Sequence, residues 1–104
     1  MKTEFQDGRL YLHREQEERE PLLQRLGRIE GQVRGLQQMI QQDRYCGDEL
    51  QQAAAIIAAM REVMRLLVAQ HIAAGLERMT NDQTTKNEVS ADFEQVLKSI
   101  LKDQ

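Results

Sequence analysis

Cys46 is the only cysteine of the chain, and His71 is one of two histidines. A thiolate and an imidazole together suit Cu(I), Zn(II) or Ni(II) rather than Mg or Ca. The twenty-four residues between them are largely apolar at helical spacing. If they form one unbroken helix, its rise of about 1.5 Å per residue puts the two side chains roughly 37 Å apart. A single chain could not then close both around one ion. An antiparallel second copy would carry its His71 end back to this Cys46, so the spacing predicts an oligomer before it predicts a ligand.

Each residue also has a plainer reading. Cys46 falls at or just before a helix N-terminus, where the helix dipole and nearby Arg44 favour a thiolate. The same cysteine could instead fill a small hole under the turn as an inert apolar side chain. His71 continues an otherwise apolar stripe, which fits a satisfied interfacial histidine as well as a ligand. The sequence leaves both pairs of alternatives open.

The elements that must position these residues read as helices. Pro21 suits a first helical turn, where its missing N–H costs nothing. Beyond it Leu22, Leu26, Ile29, Val33, Leu36 and Ile40 form a heptad stripe that predicts a helix over roughly 21–42. Gly47, Asp48 and Glu49 mark a second start, with carboxylates placed to complement the dipole. From there Leu50, Ala53, Ile57, Met60, Met64, Leu67 and His71 form one stripe, and Ile56, Ala59, Val63 and Leu66 form another beside it. A helix apolar on two faces needs more than one neighbour to cover it. It is expected over about 47–79, with Gly75 a weak point near its end. Residues 80–87 read as a polar connector, and Val89, Phe93, Val96, Ile100 and Leu101 predict a third, amphipathic helix over about 88–102. With no strand signal recognised, the fold expected is all-α. Residues 1–20 are expected to be a mobile N-terminal arm that joins the first helix at its C-terminal end. Residues 21–104 are expected to form a single helical domain.

At 104 residues with no Trp, a monomeric core would be thin, and small helical chains often meet this shortage by sharing a core between subunits. No apolar run approaches the ~20 residues that cross a bilayer, and the start lacks the apolar centre of a signal peptide. The reading is cytoplasmic, without a membrane partner. A net charge of −3 argues against a strongly basic nucleic-acid binder. The distribution qualifies this: residues 1–20 carry four cations against six carboxylates, whereas residues 21–45 carry Arg25, Arg28, Arg34 and Arg44 against only Glu30 and Asp43. With Arg61 and Arg65, these arginines form a modest patch that oligomerisation would broaden.

Gly27, Gly31 and Gly35 recur at one-turn spacing, although each costs about 1 kcal/mol relative to Ala in a helix interior. Close packing against the alanines of the second helix is one reason for them. An open strip where a phosphate backbone approaches Arg28 and Arg34 is the other. Nothing points to catalysis, since Cys46 lacks a same-chain base and there is no phosphate loop.

The segment RLGRIEGQVRGLQQMIQQDRYC, from Arg25 to Cys46, resembles the signature of the CsoR/RcnR family of small-molecule-responsive bacterial repressors. The resemblance covers roughly residues 21–79 and places His71 at that family's sensing position. It implies a three-helix protomer, an antiparallel four-helix-bundle dimer, and a dimer of dimers that leaves operator DNA when effector binds. The copper-sensing branch carries a second cysteine where this chain has Gly75, so the resemblance leaves a two-ligand site of Cys46 and His71. Nickel- and cobalt-sensing relatives add an N-terminal histidine, which makes His13 a further candidate. The formaldehyde-sensing branch uses the matching cysteine with an amine of the N-terminal arm and would need no metal. The sulfur-sensing branch has a cysteine in place of His71. Family members usually carry a basic residue at Gly27 and often an arginine near Ile57, both absent here.

The expected protein is a homotetrameric repressor in which Arg25, Arg28, Arg34, Arg61 and Arg65 contact operator DNA. Cys46 and His71 of a neighbouring copy would bind the effector, Cu(I) or Ni(II)/Zn(II). The alternatives are an aldehyde- or electrophile-sensing repressor acting through Cys46, and a helical oligomeric interaction module without DNA binding.

Overall fold

A computed structural model describes residues 1–79 and 83–102. Three helices carry most of the chain: α1 over Gln16–Gln41, α2 over Cys46–Arg78 and α3 over Gln83–Leu101. Two strands precede them, β1 over Lys2–Gln6 and β2 over Arg9–His13. The chain divides into two compact units, Gln16–Leu67 and Met1–Glu15 with Val68–Gln104.

The strands are an addition to the all-α expectation. They pair antiparallel with Gln6 opposite Arg9 and Lys2 opposite His13. Asp7 and Gly8 form the two-residue turn, both at positive φ, 53° and 76°. This is the type I′ geometry whose twist matches a right-handed hairpin and which Asp-Gly favours. Alternation places Thr3, Phe5, Leu10 and Leu12 on one face, where Leu10 is buried, and Glu4, Tyr11 and His13 on the other.

In the unit Gln16–Leu67, α1 covers one side of the first part of α2. Leu22, Ile29 and Val63 are its buried core, with Leu26, Ile56, Ala59 and Leu66 packed around them. Helix α1 starts five residues before the expected Pro21. Glu17 and Glu18 lie in its first turn, where they complement the dipole, and Gln16 Nε2 donates to Glu20 at 2.8 Å. Pro21 therefore lies in the second turn, where its absent N–H forgoes one bond near the helix end.

Helix α1 stops in a Schellman motif. The Arg44 N–H donates to the Met39 carbonyl at 3.0 Å and the Asp43 N–H to that of Ile40 at 3.2 Å. Asp43 occupies the left-handed position, φ 52°, that glycine usually takes.

Only one of the two α2 stripes is covered by α1. Leu50, Ile57, Met60, Met64 and Leu67 are 40–65% exposed, along the face expected to meet a second neighbour. The glycine stripe does not pack as the simpler alternative expected. A Cβ at Gly27 or Gly31 would meet nothing within 4 Å, and one at Gly35 would meet only the Gln52 amide at 3.4 Å.

In the other unit, Leu10 of the hairpin, Ala74 and Gly75 of α2 and Val89 of α3 are buried. Helix α3 starts at Gln83, five residues before the expected 88, so residues 83–87 of the expected connector are helical. Its residues 80–82 lie outside the described residues. No described helix is long and apolar enough to cross a membrane.

Replacing Asp43 with glycine relieves a left-handed conformation that costs a residue with a Cβ roughly 1–2 kcal/mol, partly offset by greater freedom of the unfolded chain. Asp43→Gly is expected to raise unfolding free energy by roughly 0.5–1 kcal/mol in urea titration.

Candidate effector site and basic surface

His71 is partnered. Its Nε2 lies 2.5 Å from Oδ2 of Asp92, whose side chain is 4% exposed. The other carboxylate oxygen, Oδ1, accepts the backbone N–H of Leu10 at 2.9 Å. Phe93, the next residue of α3, packs a tilted ring 5.7 Å from the imidazole, centroid to centroid. A buried carboxylate must be hydrogen-bonded or paired, and an ionised one only accepts. Nε2 is therefore the donor, and in a neutral ring Nδ1 keeps its lone pair. A histidine that gives one N–H to a carboxylate and offers the other nitrogen outward is the usual arrangement of a metal ligand.

Gly75 is one turn beyond His71, where a further ligand on the same face would stand. A Cβ there would lie 2.5 Å from Cζ and 2.6 Å from Cε1 of Phe93, and 3.1 Å from Cγ1 of Val89. The aromatic ring fills the space a side chain would need. The packing of α3 on α2 thus leaves no room for a side chain at this position.

Cys46 opens α2 as an exposed free thiol. The small-buried-cysteine alternative does not hold in the protomer. The carbonyl of Tyr45 accepts the N–H groups of Asp48 and Glu49 at 3.0 and 3.3 Å, and the Tyr45 ring covers Gly47. Cys46 and His71 both belong to α2, twenty-five positions apart, Cys46 in the unit Gln16–Leu67 and His71 in the other. Among the described residues no group of three or more His, Cys, Asp or Glu could hold a metal ion. His13 is on the strand face opposite Leu10, its Nε2 2.7 Å from Glu4 Oε1.

The candidate DNA-contacting residues all belong to the unit Gln16–Leu67. Arg28, Arg34, Arg61 and Arg65 are exposed and Arg25 is half-buried. Arg25 and Arg28 border a hollow with Ile29, Gln32 and Ala59, beside the open strip of Gly27 and Gly31. Arg34 has only a long 3.9 Å approach to Glu30. Arg65 is different: its Nε and Nη2 donate to the two Glu62 oxygens at 3.0 and 2.7 Å. Those hydrogen bonds lower the Glu62 carboxyl from its ordinary value; desolvation opposes them as the next largest effect, and the charges of Arg65 and then Arg25 add to the lowering. The Arg65 guanidinium is raised for the same first reason. A phosphate reaching Arg65 must therefore compete with an internal carboxylate.

Sequence reasoning missed Asp92, Phe93 as the occupant of the Gly75 position, and the hairpin. Two signals were there to be read. Asp92 interrupts the buried stripe of α3 between Val89 and Val96, where a charge needs a partner, and Asp7-Gly8 between alternating apolar residues is a hairpin signature.

The family whose sequence model is described as metal-sensitive transcriptional repressor matches residues 18–102, and the chain belongs to it. The copper-sensing transcriptional repressor CsoR of Bacillus subtilis (strain 168) is 48% identical over 59 residues, covering 57% of this chain and 58% of that protein. The copper-sensing transcriptional repressor RicR of Mycobacterium tuberculosis is 48% identical over 48 residues, covering 46% and 50%. The matched segment thus spans only about half the length of these curated relatives. Among solved structures, the copper-sensing repressor CsoR with Cu(I) from Geobacillus thermodenitrificans matches with a TM-score of 0.75 and 33% identity over 88% of this chain and 92% of that one. The nickel-responsive transcriptional regulator InrS matches with 0.62 and 28% over 82% and 96%. These relatives are regulators of transcription, not enzymes.

Two outcomes follow from the contacts above. Gly75→Ala is expected to cost about 1–3 kcal/mol of stability by overpacking against Phe93, and Phe93→Ala in the same chain should recover part of it in a urea-unfolding cycle. The lowered Glu62 pKa contributes stability that is fully present above its ordinary value of 4.5 and lost as pH falls through the lowered one. An NMR titration should find the Glu62 pKa lower in wild type than in Arg65→Ala.

Proposed function

We propose that this chain is a DNA-binding transcriptional repressor released from its operator when a transition metal ion binds between Cys46 of one subunit and His71 of an antiparallel partner. The observation that carries this reading is the uncovered face of α2. Five large apolar side chains, Leu50, Ile57, Met60, Met64 and Leu67, lie exposed between Cys46 at one end and His71 toward the other. Apolar surface of this extent marks an interaction site. A second copy laid antiparallel on that face satisfies it with the same residues from both chains, as a two-fold interface requires, and two such dimers would complete a homotetramer.

The donor set fits a soft or borderline ion. Cys46 is exposed, and Asp92 leaves Nδ1 of His71 as the coordinating nitrogen. With Phe93 closing the Gly75 position, two protein ligands remain, a set for Cu(I), or for Ni(II)/Zn(II) completed by solvent. His13 would have to leave Glu4 to join them. The names of the copper-sensing and nickel-responsive relatives support the ion class. An ion joined to both subunits would supply a cross-subunit tie. The residues of the chain then do the rest: Asp92 orients the imidazole, and the two α2 helices are held in one relative arrangement. If operator DNA prefers another, binding at the two sites opposes, with ~1–3 kcal/mol of coupling typical of such systems. Arg28, Arg34 and Arg61 offer exposed cations for phosphates, with Arg25 half-buried and Arg65 shared with Glu62.

The exposure of the Cys46 thiol also favours a second reading, in which an aldehyde or another electrophile modifies it. A stable mass increase of the intact protein after formaldehyde treatment, lost in Cys46→Ala, would select that reading.

Operator affinity should be measured during Cu(I), Ni(II) and Zn(II) titrations of wild type, Cys46→Ala and His71→Ala. One ion is expected to weaken wild-type binding roughly 5- to 150-fold and to leave both variants unmoved. The affinity should also fall with salt, as phosphate contacts require. Equal responses in all three proteins would defeat the site assignment, and no operator binding at low salt would defeat the DNA role.

A further inference from the structure

The N-terminal hairpin lies outside the span matched by the family, which begins at residue 18, yet it is fastened to the elements that carry His71. In a hairpin with a two-residue turn, Gln6 and Arg9 exchange ladder bonds, so the next pair, Phe5 with Leu10, turns its peptide groups outward, as does Thr3 with Leu12. Each outer edge is met by one side chain. On the β2 edge the Leu10 N–H donates to Asp92. On the β1 edge the Thr3 carbonyl accepts from Arg78 Nη1 at 3.0 Å, and Thr3 Oγ1 lies 3.1 Å from the same nitrogen. The Arg78 guanidinium also lies 5.1 Å from the centre of the Phe5 ring, within cation–π range. Just past β2, Arg14 Nε donates to Gln70 at 2.6 Å, on the residue preceding His71.

Arg78 and Gln70 could dock a hairpin anywhere along α2 without consequence for the imidazole. The Asp92 carboxylate cannot. One of its oxygens is held by the hairpin and the other by His71, and a planar carboxylate cannot reorient toward one partner without disturbing the other. We infer that the hairpin is a latch on His71, in which docking of β2 and the orientation of the imidazole form one linked equilibrium through Asp92.

The direction follows from hydrogen bonding. Docking fixes the carboxylate, which fixes Nε2 as the donor and keeps Nδ1 available. By reciprocity, whatever holds the imidazole in that orientation also holds the Leu10 peptide on Asp92. If Cys46 and His71 form the proposed site, a docked hairpin raises its affinity for metal, and loading protects the hairpin. This last step rests on the proposed function; the latch itself does not.

The test opens the hairpin from its far end. Gly8 is at φ 76° with free space around it, so Gly8→Val strains the turn without touching Asp92 or His71. Arg78→Gln releases the β1 edge and serves should Gly8→Val fail to fold. In metal-free full-length protein, either variant is expected to speed exchange of the Leu10 amide at least tenfold and to shift the ring-nitrogen NMR signals of His71. Asp92→Asn should shift those signals and abolish the further effect of either variant. An opened hairpin with unaltered His71 ring signals, or shifts that persist in the Asp92→Asn background, would overturn the latch. In a second arm, Cu(I) affinity is measured by chelator competition. Opening the hairpin is expected to weaken it about 5-fold or more, in the range of coupling between linked sites. Cu(I) binding equal in wild type and both hairpin variants, but lost in Cys46→Ala, would overturn the coupling to metal and leave the proposed site standing. Cu(I) binding indifferent to Cys46→Ala and His71→Ala, with the His71 shifts intact, would defeat the proposed site and leave the latch.

Discussion

A buried carboxylate, Asp92, holds the unit that carries His71 together. It is 3% exposed, and a charge so placed is tolerated only with its oxygens occupied. One oxygen receives a peptide N–H from β2 and the other the imidazole of α2, while Asp92 itself belongs to α3. Three elements distant in sequence are thereby tied at one point. No buried side-chain nitrogen or oxygen among the described residues lacks a partner, so this polar centre is fully satisfied, the condition under which such a centre specifies one arrangement. Removing either neighbour would leave the carboxylate under-bonded, which costs more than the bond is worth when made.

The second constraint is the double apolar surface of α2. One side is used by α1, through Leu22, Leu26 and Ile29 against Ile56, Ala59 and Val63. The other is left open, with Leu50, Ile57, Met60, Met64 and Leu67 exposed. This surface and His71 lie on the same helix, whereas Asp92, the partner of His71, comes from α3.

Charge is arranged locally rather than globally. The chain is net acidic, yet residues 21–45 carry four arginines against only Glu30 and Asp43, and Arg28 and Arg34 of α1 are exposed. On the same helix a Cβ at Gly27 or Gly31 would meet nothing within 4 Å. Glu62 takes Arg65 for itself, so the six arginines once counted as equivalent divide into available and engaged.

Much of this was legible from the residues. The 3.6-residue period places α2 within one residue of its expected ends, and the two stripes call for more than one neighbour, of which α1 is one, because helical periodicity is a local property written in which positions are apolar. Cys46 and His71 stand out for their chemistry alone. Asp-Gly at the hairpin turn was equally local and was overlooked because mixed charges masked the alternation. Tertiary structure alone decided the partners. That Asp92 faces both His71 and Leu10, that Phe93 occupies the room beside Gly75, and that Glu62 engages Arg65 all depend on side chains meeting in space. Two of these meetings bridge separate elements, and no periodicity along the chain encodes which groups from separate elements will share a carboxylate or fill a void.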